Sequence, residues 1–163
     1  MRPSELLSLL QAFYGERTAL MLRHIAVSRH VGNLDFNNTY QYVIAREETQ
    51  LSWLRSAIEE LGGVAEPPGV EPAIEASRAA GFAGGLIEED ARSAREFIAR
   101  WTDRVEQVTN ARHRLMLRVV LGETLEHQRF FEQAVAGRED LLGQRLDAGP
   151  RRGAVASSRW QGD

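Results

Sequence analysis

The sequence predicts an all-α fold, a four-helix bundle with one long crossover, and three observations predict it. Four stretches of the chain repeat apolar residues at the helical spacing of three and four. The links after the first and third stretches are short, so the helices on either side pair as antiparallel hairpins. The middle link, residues 62–85, GGVAEPPGVEPAIEASRAAGFAGG, is long and rich in Gly, Pro and Ala. A link of that length inside a compact domain calls for a reason. A run back along the bundle supplies one, because an extended chain gains ~3.3 Å per residue and easily spans a helix of ~34 Å.

The first helix is expected from about Ser4 to about His30, opened by Pro3 and Ser4, with Leu6, Leu9, Leu10, Phe13, Leu20, Met21, Val27 and Val31 on its apolar stripe. Gly15 sits within it, and Glu16 and His24 lie near the stripe. Gly32-Asn33 ends this helix, and Asp35 or Asn37 is placed to cap the second. The core of the second helix is Thr39–Leu61, with Tyr40, Val43, Ile44, Gln50 or Leu51, Leu54, Ile58 and Leu61 on one face. Glu47 shares that face. A carboxylate on an apolar stripe costs free energy unless something pairs with it or binds it. Gly62-Gly63 closes the helix.

Within the crossover, Pro72-Ala73-Ile74-Glu75 is expected to open one or two helical turns. The third helix is expected to start near Leu86, with Glu88, Glu89 and Asp90 at its N-terminus, where the dipole favours acids. Its stripe is Ile87, Ala91, Ala94, Phe97, Ile98, Trp101, Val105 and Val108. Thr109-Asn110 breaks the chain, and the fourth helix runs from about Ala111 to Ala136. Leu115, Met116, Val119, Val120, Phe130, Phe131 and Ala134 are expected inward there, with Glu123 and His127 interrupting the stripe. The bundle domain is read as residues 1–136, followed by a short helix and a disordered tail over 137–163.

Composition narrows the function classes. The 163 residues are 43% hydrophobic and 26% charged, with a net charge of -3, so no broad basic surface for nucleic acid is indicated. There is no cysteine. That excludes a disulfide scaffold, thiolate zinc, an iron–sulfur cluster and a cysteine nucleophile in this chain. A metal would need carboxylate or imidazole ligands. No apolar run approaches the ~18 residues of a membrane span. The N-terminal stretch reads as a helix, not a signal peptide, which makes the cytoplasm the expected location.

The residues IAREETQLSWLRSAIEELGG and LGETLEHQRFFEQA, together with the helix order and the crossover, resemble the second and fourth helices of the ferritin-like superfamily, rubrerythrin and bacterioferritin relatives included. The resemblance covers roughly residues 4–136. It implies an antiparallel ferritin-like bundle and a di-iron centre built from a Glu on each of two helices and a Glu-x-x-His on each of the other two. Carried over residue by residue, it implies Glu16 on the first helix and Glu47 on the second, with Gln50 where the motif has His. On the fourth helix His127 matches, but Thr124 stands where the motif has Glu. Glu123 or Glu126 is the available substitute. On the third helix the only candidate is Glu96, off the best apolar face. The implied metal set is therefore Glu16, Glu47, Glu123 and His127, with Gln50 and Glu126 as further candidates, around one or two ions of iron or another divalent metal. The implied chemistry is ferroxidase or peroxide reduction, with an external electron donor. The resemblance also implies a homodimer or larger assembly, with Trp53 and Tyr42 as surface aromatics. The Arg-bearing tail suggests docking to a protein shell.

The residues alone leave other readings open. Either Glu16 or Arg17 can face inward, and with α2 rotated slightly Glu47 can pair with Arg17 or Arg46 at the surface. His127 can be a hydrogen-bonded core histidine, and Gln50 an inward hydrogen-bonding partner. His24 is read as a core or interface residue, and His30 and His113 as surface or helix-end residues. Glu88–Asp90 is read as a helix start and not a site. On these readings the chain is a ferritin-like bundle that has lost its metal and serves as a structural or interaction module.

Overall fold

A computed structural model of the chain describes residues 1–78, 81–138 and 141–142. Four helices make up its regular structure: α1 (Pro3–Ser28), α2 (Leu34–Glu60), α3 (Phe82–Glu106) and α4 (Ala111–Val135). No strand occurs among the described residues. Of the expected short helix and tail over 137–163, only residues 137–138 and 141–142 are described, and the rest lies outside the described part.

Local chemistry explains the helix ends. Pro3 opens α1, and the Arg2 backbone N–H donates to the Glu5 carboxylate at 2.7 Å. Asn33, not Asp35 or Asn37, caps α2, its Oδ1 accepting from the Phe36 backbone N–H at 3.0 Å. Asn37 instead ties down the end of α1, donating to the Ser28 and Val31 carbonyls. At the end of α2, Gly62 takes φ +75°. The N–H groups of Gly62 and Gly63 return to the Glu59 and Ile58 carbonyls, closing a Schellman turn. A Cβ at Gly63 would press on the Leu7 methyl groups, so a larger residue there would require that side chain to move.

Residues 63–78 form no helix, so the expected turns at Pro72–Glu75 do not appear. The segment is held by side chains instead: Gln11 donates to the Val64 carbonyl at 3.0 Å, Arg29 grips Glu71, and Ile74 packs on the core. The third helix starts at Phe82, a turn earlier than expected. Phe82 packs on the core and on the His30 ring at 5.7 Å, which offsets the roughly 1 kcal/mol that each of Gly84 and Gly85 costs in a helix. Glu88–Asp90 consequently lies beyond the first turn. Asp90 is fully buried, accepting from Tyr40 Oη at 2.5 Å and Arg23 Nε at 2.6 Å. Asn110 caps α4 through the His113 N–H at 3.1 Å.

Cross-helix contacts set the directions. Residues 17 and 24 of α1 meet 50 and 47 of α2, and 16 and 23 of α1 meet 100 and 90 of α3. Residues 46 and 60 of α2 meet 123 and 112 of α4, and 95 and 106 of α3 meet 132 and 118 of α4. Every adjacent pair is antiparallel, so α2 and α3 run parallel across the diagonal. The crossover is required by that geometry.

The interior is divided. One apolar cluster contains Leu10, Phe13, Leu54, Ile58, Phe97, Trp101, Val105 and Leu117, and another contains Val27, Phe36, Tyr40, Val43, Ile87 and Phe131. Between them lies a layer of buried polar side chains. On α4 the inward stripe is Leu117, Val120, Leu121, Thr124, His127 and Phe131, while Leu115 is 63% exposed and Val119 40%. The expected stripe was rotated, because apolar residues cover two neighbouring faces of this helix and periodicity fits both. Among the described residues, no helix is long and apolar enough to cross a membrane.

Candidate functional site

The polar layer is organised by Arg17. On α1 the inward positions run Phe13, Arg17, Met21 and His24, each three or four residues after the last. That places the guanidinium in the middle of the bundle, where it is fully buried. Its Nη1 lies 3.2 Å from Glu47 Oε1, and its Nε donates to Gln50 Oε1 at 2.9 Å. Its Nη2 approaches His127 Nδ1 at 3.5 Å. Phe97 closes the remaining side, with the guanidinium carbon 5.9 Å from its ring centre.

Glu47 is equally buried and has a second partner. His24 Nδ1 faces both carboxylate oxygens, at 2.9 and 3.0 Å. Burial alone would raise the Glu47 pKa, but His24 and Arg17 outweigh it and hold the carboxyl below its ordinary range. Burial alone would lower the His24 pKa. The charge and hydrogen bond of Glu47 reverse that, and the imidazole sits above its ordinary value. His127 goes the other way: burial, then the Arg17 cation, push it down to about 3. His127 is therefore neutral at pH 7, and its Nδ1 is free to accept from Arg17.

Gln50 extends the layer toward the α2–α4 surface. Its amide oxygen accepts from Arg17, and its Nε2 donates to Glu123 Oε2 at 2.5 Å. Arg46 grips the same carboxylate from outside, with Nη2 to Oε1 at 2.5 Å and Nε to Oε2 at 3.2 Å. Burial raises the Glu123 pKa, but the hydrogen bonds from Arg46 and Gln50 bring it below the ordinary value. Thr124 is buried beside it and donates back to the Val120 carbonyl at 2.7 Å.

Four of the candidate residues are thus gathered at mid-bundle: Glu47, Gln50, Glu123 and His127. Glu16 is not among them. It points outward and accepts from Arg100 Nε and Trp101 Nε1, each at 3.0 Å. The physical reason is the 100° between successive helix residues, which turns Glu16 out when Arg17 turns in. Glu126 and Glu96 are exposed. Sequence reasoning passed over Arg17 and His24 as members of the site. The available signal was the i+4 step from Phe13 to 17 and from 17 to Met21. Among the described residues, no group of three or more His, Asp or Glu side chains is arranged to hold a metal ion.

A solved structure described as ferritin like, diiron-carboxylate proteins from Bacillus anthracis str. Ames superposes with a TM-score of 0.66, covering 83% of this chain and 99% of that one at 16% identity. The fold is ferritin-like. No protein-family model matches the chain, and no curated protein matches it either.

A ferritin-like bundle with two metal ions needs a carboxylate-rich centre open to cations. In this ferritin-like bundle the residues present do not fit such a centre. A guanidinium already lies against the Glu47, Gln50 and His127 side chains, and an arginine does not lose its proton in a protein. A divalent ion beside it would meet a fixed like charge in a low-dielectric interior. Glu123 already accepts three hydrogen bonds, two from Arg46 and one from Gln50.

Proposed function

We propose that this chain is a ferritin-like bundle in which Arg17 acts as a built-in cation, and that it works as a structural or interaction module without metal. The observation that carries this reading is the full burial of Arg17 between Glu47, Gln50 and His127. Bridging metal ions offset the charge of clustered carboxylates; here a guanidinium and a raised-pKa imidazole do so from within the chain.

The test is metal content. Protein purified without chelator or affinity metal, then offered iron anaerobically, is expected to carry no stoichiometric metal while remaining fully helical. One or two ions per chain, lost in Glu47→Ala and His127→Ala, would overturn this reading. The composition of the layer favours that second outcome. The layer holds two carboxylates and two imidazoles, and the similar solved structure is described as a diiron-carboxylate protein. In this second reading Arg17 leaves the layer and iron or another divalent ion takes its place, with oxidase or peroxide-reducing chemistry to be assayed next.

The proposal includes self-association, at least to a homodimer. Exposed Leu115 and Val119 on α4 and Tyr42 on α2 offer apolar surface for it. A mass of one chain by light scattering would remove that part of the proposal and leave the rest standing.

A further inference from the structure

The outer face of α4 is left uncovered by its own chain. Leu115, Val119 and Leu125 stand along it, 63, 40 and 38% exposed. Gly122 lies among them in the middle of the helix, and it is exposed too. A glycine inside a helix costs stability relative to alanine. A Cβ at Gly122 would meet nothing within 4 Å, so packing within the chain does not call for it. A close approach to α4 from outside would.

The same face carries charges of both signs. Arg118 donates to Glu106 through Nε at 2.8 Å and through Nη2, which leaves its Nη1 for another acceptor. Glu126 is exposed and accepts no hydrogen bond among the described residues. The face is arranged symmetrically about the glycine. Arg118 and Val119 come four and three residues before Gly122, and Leu125 and Glu126 come three and four after it. Positions three and four away share the face of the residue between them.

That symmetry names the occupant. When two such helices cross antiparallel at their glycines, a position before Gly122 in one copy stands level with the matching position after it in the other. Arg118 of one copy then lies level with Glu126 of the other, and Val119 with Leu125. A twofold axis repeats this on both sides of the crossing, so one surface is complementary to itself in charge and in apolar contact. Farther out, Leu115 of one copy meets the aliphatic stem of Arg129 of the other.

We propose that a second copy of this chain covers the face, α4 against α4 in antiparallel, crossing at Gly122. The inference rests on the self-association proposed above and assigns it to one surface. It is independent of the Arg17 layer and of whether that layer takes metal.

Light scattering of the full chain over a dilution series tests it. A mass of two chains is expected, giving way to one on dilution. Gly122→Leu is expected to raise the dissociation constant at least about tenfold with the helix content kept, since leucine is the better helix former. Arg118→Glu and Glu126→Arg each set like charges against each other twice, and each is expected to raise it by at least about tenfold. Carrying both reversals in one chain is expected to restore it to within about threefold of the unaltered chain. The chain has no cysteine, so introduced thiols report the register. Val119→Cys mixed with Leu125→Cys is expected to form a disulfide-linked dimer that neither protein forms alone. A mass of one chain at every concentration would overturn both the self-association and this assignment. A dimer indifferent to Gly122→Leu and to the charge reversals would keep the self-association and overturn the assignment, as would a double reversal that restores nothing.

Discussion

Arg17→Met is expected to lower the unfolding free energy by about 3–5 kcal/mol, measured by urea denaturation at pH 7. The side chain is fully buried, and its removal leaves the Glu47 carboxylate with His24 alone, while Gln50 and His127 lose their donor. A buried charge without adequate partners costs far more than its pair contributed. The double substitution Arg17→Met with Glu47→Leu is therefore expected to recover much of the loss, because it removes both charges together. Arg46→Met makes the comparison at the surface. Arg46 contacts Glu123 in good geometry but is partly exposed, and about 1 kcal/mol or less is expected. Equal losses for Arg17→Met and Arg46→Met would show that the buried guanidinium does not organise the layer.

The second large effect is a stability maximum near pH 6.5, set by two buried histidines with opposite shifts. His127 titrates at about 3 in the folded chain against 6.5 as the ordinary value. Below pH 6.5 the unfolded chain takes up a proton that the folded chain refuses. Stability falls as pH drops from 6.5 toward 3, by up to about 1.4 kcal/mol per pH unit. His24 is shifted upward, so its contribution is complete below 6.5 and is lost as pH rises through its folded value. Glu47, shifted downward, holds its contribution above the ordinary carboxylate value of 4.5 and adds to the acid loss as pH falls through its lowered folded value. Unfolding curves from pH 4 to 9 are expected to show both limbs, and the substitutions assign them. His127→Gln should flatten the limb between pH 6.5 and 4.5, and His24→Gln the alkaline limb. A profile unchanged by His127→Gln would mean that this ring is not held neutral beside Arg17.

Much of the fold was legible in the chain because it rests on local patterns. The three-four spacing marked all four helices, and Gly62-Gly63 and Thr109-Asn110 marked two of the turns. The length of 62–85 announced the crossover that makes α2 parallel to α3. The errors came where tertiary contacts overrode a local signal. Phe82 finds the core and the His30 ring, so α3 begins before its glycines. Asn37 is drawn to the carbonyls closing α1, so the cap falls to Asn33. Leu115 and Val119 look inward by spacing and lie outside, because α4 has apolar residues on two adjacent faces.

The candidate site divides along the same line. Periodicity put Glu47 on the apolar stripe of α2, and the ferritin-like resemblance, not the spacing, favoured its inward placement and marked the positions of Gln50 and His127 as those of metal ligands. Periodicity did not decide between Glu16 and Arg17. Neighbours on a helix are 100° apart, and a helix turned by half that angle exchanges one for the other. Packing against α2 and α3 made the choice. Trp101 and Arg100 hold Glu16 at the outer edge, and Glu47 and Gln50 receive Arg17 within. The charge at the centre of the bundle depends on that rotation, which helix–helix contact sets and the spacing of residues along one helix does not.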